Sequence, residues 1–289
     1  MTSDLDRQRL LDHVQELIRL LRPLVDKCSV LNWDGTDGFL PIVRRSALRR
    51  QFESLETTLQ LVQAERADGA VGLLRPACEE LLWLRYLNRL SETDGRELID
   101  CMLHIGLLRD LEAQAGEVGE STMVEMGLAA HLKRFQWTGG AITDRLKALG
   151  KKLKWPSQAV RKGEVPSTWF IAKETASEDL YRFLYHATSR YVHFSVVELA
   201  RRGWGRPGRL ELSARHYEPI WAFFCLCWGA RVMAMMLKES ASLHEGAEAA
   251  DEDSVLLQRA FNKVLSVRLI PIITPDELIW DPAPQGRPA

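Results

Sequence analysis

Apolar residues recur along this chain at spacings of three and four, and strands of alternating polarity are nearly absent. Leu10, Val14, Leu17, Leu21 and Leu24 form one stripe, with Ser3 and Asp6 placed as an N-terminal cap and its first-turn acid. The turn cluster from Asn32 to Gly38 ends that element. The same periodicity predicts helices over about Val43–Arg66, Val71–Leu90 and Asp94–Ala115, with Pro76 near the start of the second or kinking it. A long helix is expected from Ser121–Thr122 to Leu153, weakened at Gly139–Gly140. A basic connection follows over 156–168, and Ser177 opens a helix that runs to Ala200–Gly203. Residues 203–213 read as loop with one short extended piece, and a further helix spans about His216–Ser240. That helix is apolar almost all round, the pattern of a central core element. Beyond it lie an acidic stretch, a helix over about Val255–Val267 and a tail with Pro271, Pro275, Pro282, Pro284 and Pro288.

The fold class is therefore all-α, a multi-helix bundle with at most a minimal extended segment near 204–213. The expected organisation is a helical bundle over 1–240, an acidic linker over 241–254, and a C-terminal helix with a Pro-rich tail over 255–289.

Composition changes this picture little. The chain has 289 residues, 46% of them hydrophobic, and a net charge of -1, so any nucleic-acid or anionic-membrane binding must use a local patch. The five cysteines form no CxxC, consistent with reduced, mostly buried residues in a cytoplasmic protein. The N-terminus has no signal-peptide pattern. The one apolar run long enough to approach a membrane span, Pro219–Leu237, carries Arg231, so a buried core helix is expected there and no membrane association.

Candidate chemistry concentrates in Tyr185-His-Ala-Thr-Ser-Arg-Tyr-Val-His-Phe-Ser195. On one continuous helix, His186, Arg190, His193 and Val197 share a stripe bordering the packed face, with Ser189 beside it. Arg75 and Glu79 stand one turn apart on the Val71–Leu90 helix. If the two helices are antiparallel neighbours, Glu79 can accept a hydrogen bond from His193 or Arg190. Two readings follow. In one, the groups form a buried polar network that fixes helix register. In the other, His193 is a general base oriented by Glu79, Arg190 stabilises transition-state charge, and Arg75, His186, Ser189 and Tyr185 bind substrate. A pocket walled by Tyr181 and Tyr185 is a third arrangement.

Metal ligation is not expected, because His186 and His193 lie roughly 10 Å apart along a helix axis and no HExxH or ExxH pattern occurs. No GxxxxGK[ST] is present, and no cofactor is expected. Three basic clusters remain: Arg44, Arg45, Arg49 and Arg50; Lys147, Lys151, Lys152 and Lys154 beside Trp155; and Arg201, Arg202, Arg206 and Arg209 around Trp204. Arginine interleaved with tryptophan suits phosphate contact with base stacking, which adds Arg201, Arg202 and Trp204 to the substrate-binding candidates.

Three pieces together carry a family resemblance: Arg75-x3-Glu79 followed by Tyr86-Leu87, Trp137 with Ile142, and Tyr181-x3-Tyr185-x3-Ser189-x3-His193. Over about Leu48–Glu198 the chain resembles the bacterial all-helical domain-of-unknown-function family number 5677, which is similar in general plan to the HEPN superfamily. That resemblance implies a helical bundle, metal-independent cleavage of RNA, a role in antiphage defence or toxin–antitoxin systems, and a homodimer. The chain departs from the HEPN pattern of an arginine followed by histidine after four to six residues, since two residues separate Arg190 from His193. The two functional expectations are an RNA-directed site on the 180–200 helix and, alternatively, a non-catalytic protein–protein interaction module whose polar helix pair is structural.

Overall fold

The computed structural model describes residues 4–33, 35, 38–206, 209–243, 251–270 and 272. Among these the protein is almost entirely helical, as the periodicity requires. The helices are α1 Asp4–Cys28, α2 Leu40–Gln63, α3 Ala67–Arg89, α4 Glu92–Val118, α5 Glu120–Glu125, α6 Ala129–Lys152, α7 Ser157–Lys162 and α8 Thr168–Glu174. After them come α9 Glu178–Leu180, a π-helical turn over Tyr181–Tyr185, α10 His186–Val192, α11 Val196–Ala200, α12 Glu218–Glu239 and α13 Asp251–Leu265. A two-stranded antiparallel hairpin, β1 Gly203–Arg206 with β2 Arg209–Leu212, occupies the expected extended piece. The N-cap expected at Ser3, the linker residues 244–250 and the Pro-rich tail beyond Ile272 lie outside the described residues.

The chain divides into two compact units. The first comprises Met1–Val30, Ala47–Leu81 and Glu178–Ala289; the second comprises Leu31–Ser46 and Leu82–Ser177. The core of the first unit is built on α12. Trp221, Phe223, Phe224, Cys225, Leu226 and Cys227 are all buried, because a helix apolar on every side must be surrounded on every side. Leu17 and Leu21 of α1, Phe52 and Leu55 of α2, and Val264 of α13 are buried in the same unit. Burying each such side chain stabilises the fold by about 1.5–3 kcal/mol. By length and composition Arg215–Glu239 also suffices to cross a membrane, but 67% of its apolar window is buried inside the fold. All five cysteines are buried, and none of them is in a disulfide.

In the second unit α4 and α6 pack along their lengths. Gly139 lets them approach: a Cβ there would stand 3.0 Å from Leu108 Cδ2. The expected weak point at Gly139–Gly140 is therefore regular helix. The long 121–153 helix breaks earlier, at Gly127, whose φ of 72° leaves the helical region. Ser91 caps α4 by accepting a hydrogen bond from the Asp94 amide at 3.1 Å. A short helix, α7, lies within the basic connection.

Candidate functional site

Arg75 is the centre of the polar cluster on α3. Its Nε donates to Ser189 Oγ at 2.8 Å, and its NH1 donates to Glu79 Oε2 at 2.7 Å. Its Cζ lies 3.3 Å from the centroid of the Tyr185 ring. The side chain is 12% exposed, so these contacts replace water. The π-turn over Tyr181–Tyr185 makes this possible. An i→i+5 turn shifts the phase of everything after it, and here it stacks Tyr181 on Tyr185 with centroids 4.3 Å apart. Two hydroxyls then bond back to the helix: Thr188 Oγ1 donates to the Leu184 carbonyl at 2.7 Å, and Ser189 Oγ donates to the Tyr185 carbonyl at 2.6 Å. The stacked tyrosines leave no space between their rings for a ligand. His186 stands edge-on to both and is exposed. The Tyr181 phenol is pushed above its ordinary range, first by burial and then by Tyr185.

Arg75, Glu79, Ser189 and Tyr185 are thus brought together, and His193 is not among them. The expectation of one continuous helix from Ser177 to Ala200 is corrected here. The α10 helix ends at Val192, and His193 has extended backbone, φ -118° and ψ 158°. Ser195 then caps α11, its side chain accepting from the Glu198 amide at 3.4 Å. Ser195-Val-Val-Glu198 is the S-x-x-E signature of a helix start, which was readable in the sequence. With the helix broken, the stripe from His186 to Val197 does not exist. Glu79 is engaged by Arg75, and among the described residues the His193 ring has no hydrogen-bond or ion-pair partner.

His193 instead lines a small recess of about 150 Å³ with Arg190, Phe194, Ser195, Glu198, Arg202 and Trp221. Arg190 and His193 are both exposed. Tyr191 packs edge-on against Trp221 at 5.7 Å, and burial with Glu198 nearby holds its phenol far above the ordinary value. Around this break several apolar side chains also face water. Phe194 is 86% exposed and Val196 67%, and Val192, Val197 and Leu199 are exposed as well. In the second unit Trp137 on α6 is 88% exposed.

The basic clusters lose most of their free charge. Arg44 pairs with Glu92, Arg49 with Asp26 and Glu53, and Arg50 with Glu80, at 2.5–3.2 Å. Lys147 pairs with Asp144 and Lys152 with Asp94. Trp155, read as a base-stacking platform, is 5% exposed and donates its indole N–H to Tyr86 Oη at 2.7 Å. Arg201, read as substrate-binding, is buried against Glu198, while Arg202 is at the surface with Asp68. Trp204 lies in β1, and its side chain falls outside the described residues. No group of metal-binding side chains occurs among the described residues.

Comparison with known proteins gives one match. The family described as "Family of unknown function (DUF5677)" covers residues 42–207, more than half of the chain. No curated protein and no solved structure matches it.

Proposed function

From a chain that belongs to the DUF5677 family, whose function is unknown, we propose a helical protein–protein interaction module whose docking surface is the apolar segment Val192–Leu199. The observation that carries this reading is the exposure of five apolar side chains within eight residues, Phe194 at 86% foremost. Apolar side chains exposed in such number within one short segment lower solubility unless a partner covers them. The Arg75–Glu79–Ser189–Tyr185 cluster is then the brace that holds α10 and presents the segment. The occupant is a second copy of this chain. Closed homo-oligomers are the commonest assemblies, and a net charge of -1 sets no global repulsion between copies.

Light scattering on the full chain tests this. The wild type should run as a dimer at micromolar concentration. The double variant Phe194→Asp, Val196→Asp should run as a monomer that still unfolds cooperatively, at a temperature independent of concentration, since both side chains face water in the single chain. A wild type that stays monomeric at high concentration overturns the reading.

A second reading rests on the recess, where Arg190, His193 and Arg202 meet beside the exposed ring of Phe194. Two arginines and an unstacked aromatic suit a single-stranded RNA segment, with His193 as proton acceptor at a ribose 2′-hydroxyl in a HEPN-like, defence-associated nuclease. Purified protein should then cleave RNA without added metal, and His193→Ala should lower the rate at least about a hundredfold. Cleavage that survives His193→Ala rules this reading out.

A further inference from the structure

The segment Arg268–Ile270, directly after α13, separates two cavities of the first unit. One, of about 760 Å³, is walled mostly by apolar side chains, Leu180, Phe183, Trp228, Met235 and Leu265 among them, with Asp179, Arg231 and Lys238 its charged members. The other, of about 720 Å³, lies between α1 and α13 and is ringed by cations: Arg9 and His13 one turn apart on α1, Lys263 on α13, and Arg268. Its floor is apolar, with Leu10 and Phe223 buried beneath. Leu269 and Ile270 line both cavities.

The cations of the second cleft differ from the paired arginines of α2. The arginines at 44, 49 and 50 are neutralised by carboxylates, whereas Arg9, Lys263 and Arg268 have no ion-pair partner among the described residues. Asp6 is the one acid among the described residues that line the cleft. The macrodipole accounts for Lys263 in the last turn of α13, but it gives no support to Arg9 in the N-terminal third of α1. His13 reports the resulting potential. Its pKa is lowered first by burial, then by Lys263 and Arg9, against a smaller opposing pull from Asp12. Of the other elements packed there, α12 contributes Phe223, and Glu16 on α1 is an acid close to Lys263.

We propose that this cleft binds an amphipathic organic anion, its charged head held by Arg9, His13, Lys263 and Arg268 and its apolar body lying along Leu269 and Ile270. The volume is that of a small-molecule site. The shared lining with the apolar cavity favours a ligand with a hydrocarbon or aromatic body over inorganic phosphate. Either a carboxylate or a phosphate monoester can supply the head.

Calorimetric titration of the full chain with decanoate, below its micelle concentration, tests the site. Decyl phosphate, decanol and acetate serve as the comparison probes, and decyl phosphate against decanoate ranks the two heads. Decanoate should bind, with decanol and acetate each at least about tenfold weaker, a difference of roughly 1.4 kcal/mol. The double variant Arg9→Gln, Lys263→Gln should weaken decanoate binding by a similar factor, while Phe194→Asp, Val196→Asp should leave it unchanged. The His13 ring provides a readout that non-specific apolar binding would not move. A bound anion offsets the cations that depress its pKa, so its imidazole resonances should titrate at higher pH with decanoate than without, and binding should take up protons. Equal affinity for decanol and decanoate, or an unmoved His13 titration, overturns the proposal.

Discussion

Replacing Arg75 by methionine is expected to destabilise the protein by about 2–3 kcal/mol. The guanidinium stands over the Tyr185 ring in a site from which water is largely excluded, and such a contact contributes on the order of 1–2 kcal/mol. Its hydrogen bond to Ser189 adds roughly 1 kcal/mol, and the ion pair with Glu79 adds little, because Glu79 is 37% exposed and water takes over there. Methionine keeps the length of the stem and the packing of α3, so the loss reports the polar contacts. Arg75→Lys should recover less than half, since an ammonium cannot serve the ring, the hydroxyl and the carboxylate from one planar group. Glu79→Gln should cost under about 1 kcal/mol. Urea unfolding of the three variants measures these differences, and amide exchange should show lost protection over residues 181–192 in Arg75→Met. This ordering also tests the expectation that Arg75 and Ser189 bind substrate: a brace loses stability when either is changed, whereas a substrate-binding pair would keep its stability and lose only binding.

The all-α class and the position of α12 were legible because they depend on patterns within one element. A 22-residue helix that is apolar all round has only one place to go in a folded chain. The candidate site was half legible. Arg75 and Glu79 are one turn apart on a regular helix, so their pairing followed from spacing alone. The position of His193 did not, because a π-turn at 181–185 and a break of extended backbone at 193–195 each reset the helical phase. The first has no sequence signature. The second did have one, in Ser195 and Glu198. Contacts distant in sequence were invisible to local pattern. Trp155 meets Tyr86 across 69 residues, which turned an apparent stacking platform into a buried hydrogen bond. The cationic cleft joins His13 to Lys263, from opposite ends of the chain, and neither stood out in its own neighbourhood.

The largest single loss of stability is expected at Arg201. Its NH1 donates to both Glu198 oxygens at 3.1 and 3.2 Å, with the two side chains 5% and 10% exposed. It also lies 5.6 Å from the Tyr217 ring and donates to the Ile272 carbonyl. Arg201→Leu leaves a carboxylate in a place that water barely reaches, and breaking such a pair from one side costs about 3–5 kcal/mol. That is a large share of the roughly 5–15 kcal/mol that holds a domain folded. The loss belongs to the stranded charge rather than to the missing attraction, which two comparisons make measurable. The double variant Glu198→Leu, Arg201→Leu should regain most of the lost stability, because no charge is left behind. Glu198→Gln combined with Arg201→Leu should likewise regain part of it, since a neutral amide needs no cation. Arg202→Gln, at the exposed pair with Asp68, should cost under about 1 kcal/mol. Adjacent arginines that look equivalent in sequence should therefore differ several-fold in urea unfolding. If Arg201→Leu instead proves as mild as Arg202→Gln and weakens RNA binding, then Arg201 is open to a ligand, and the recess beside it gains as the functional site over the apolar segment.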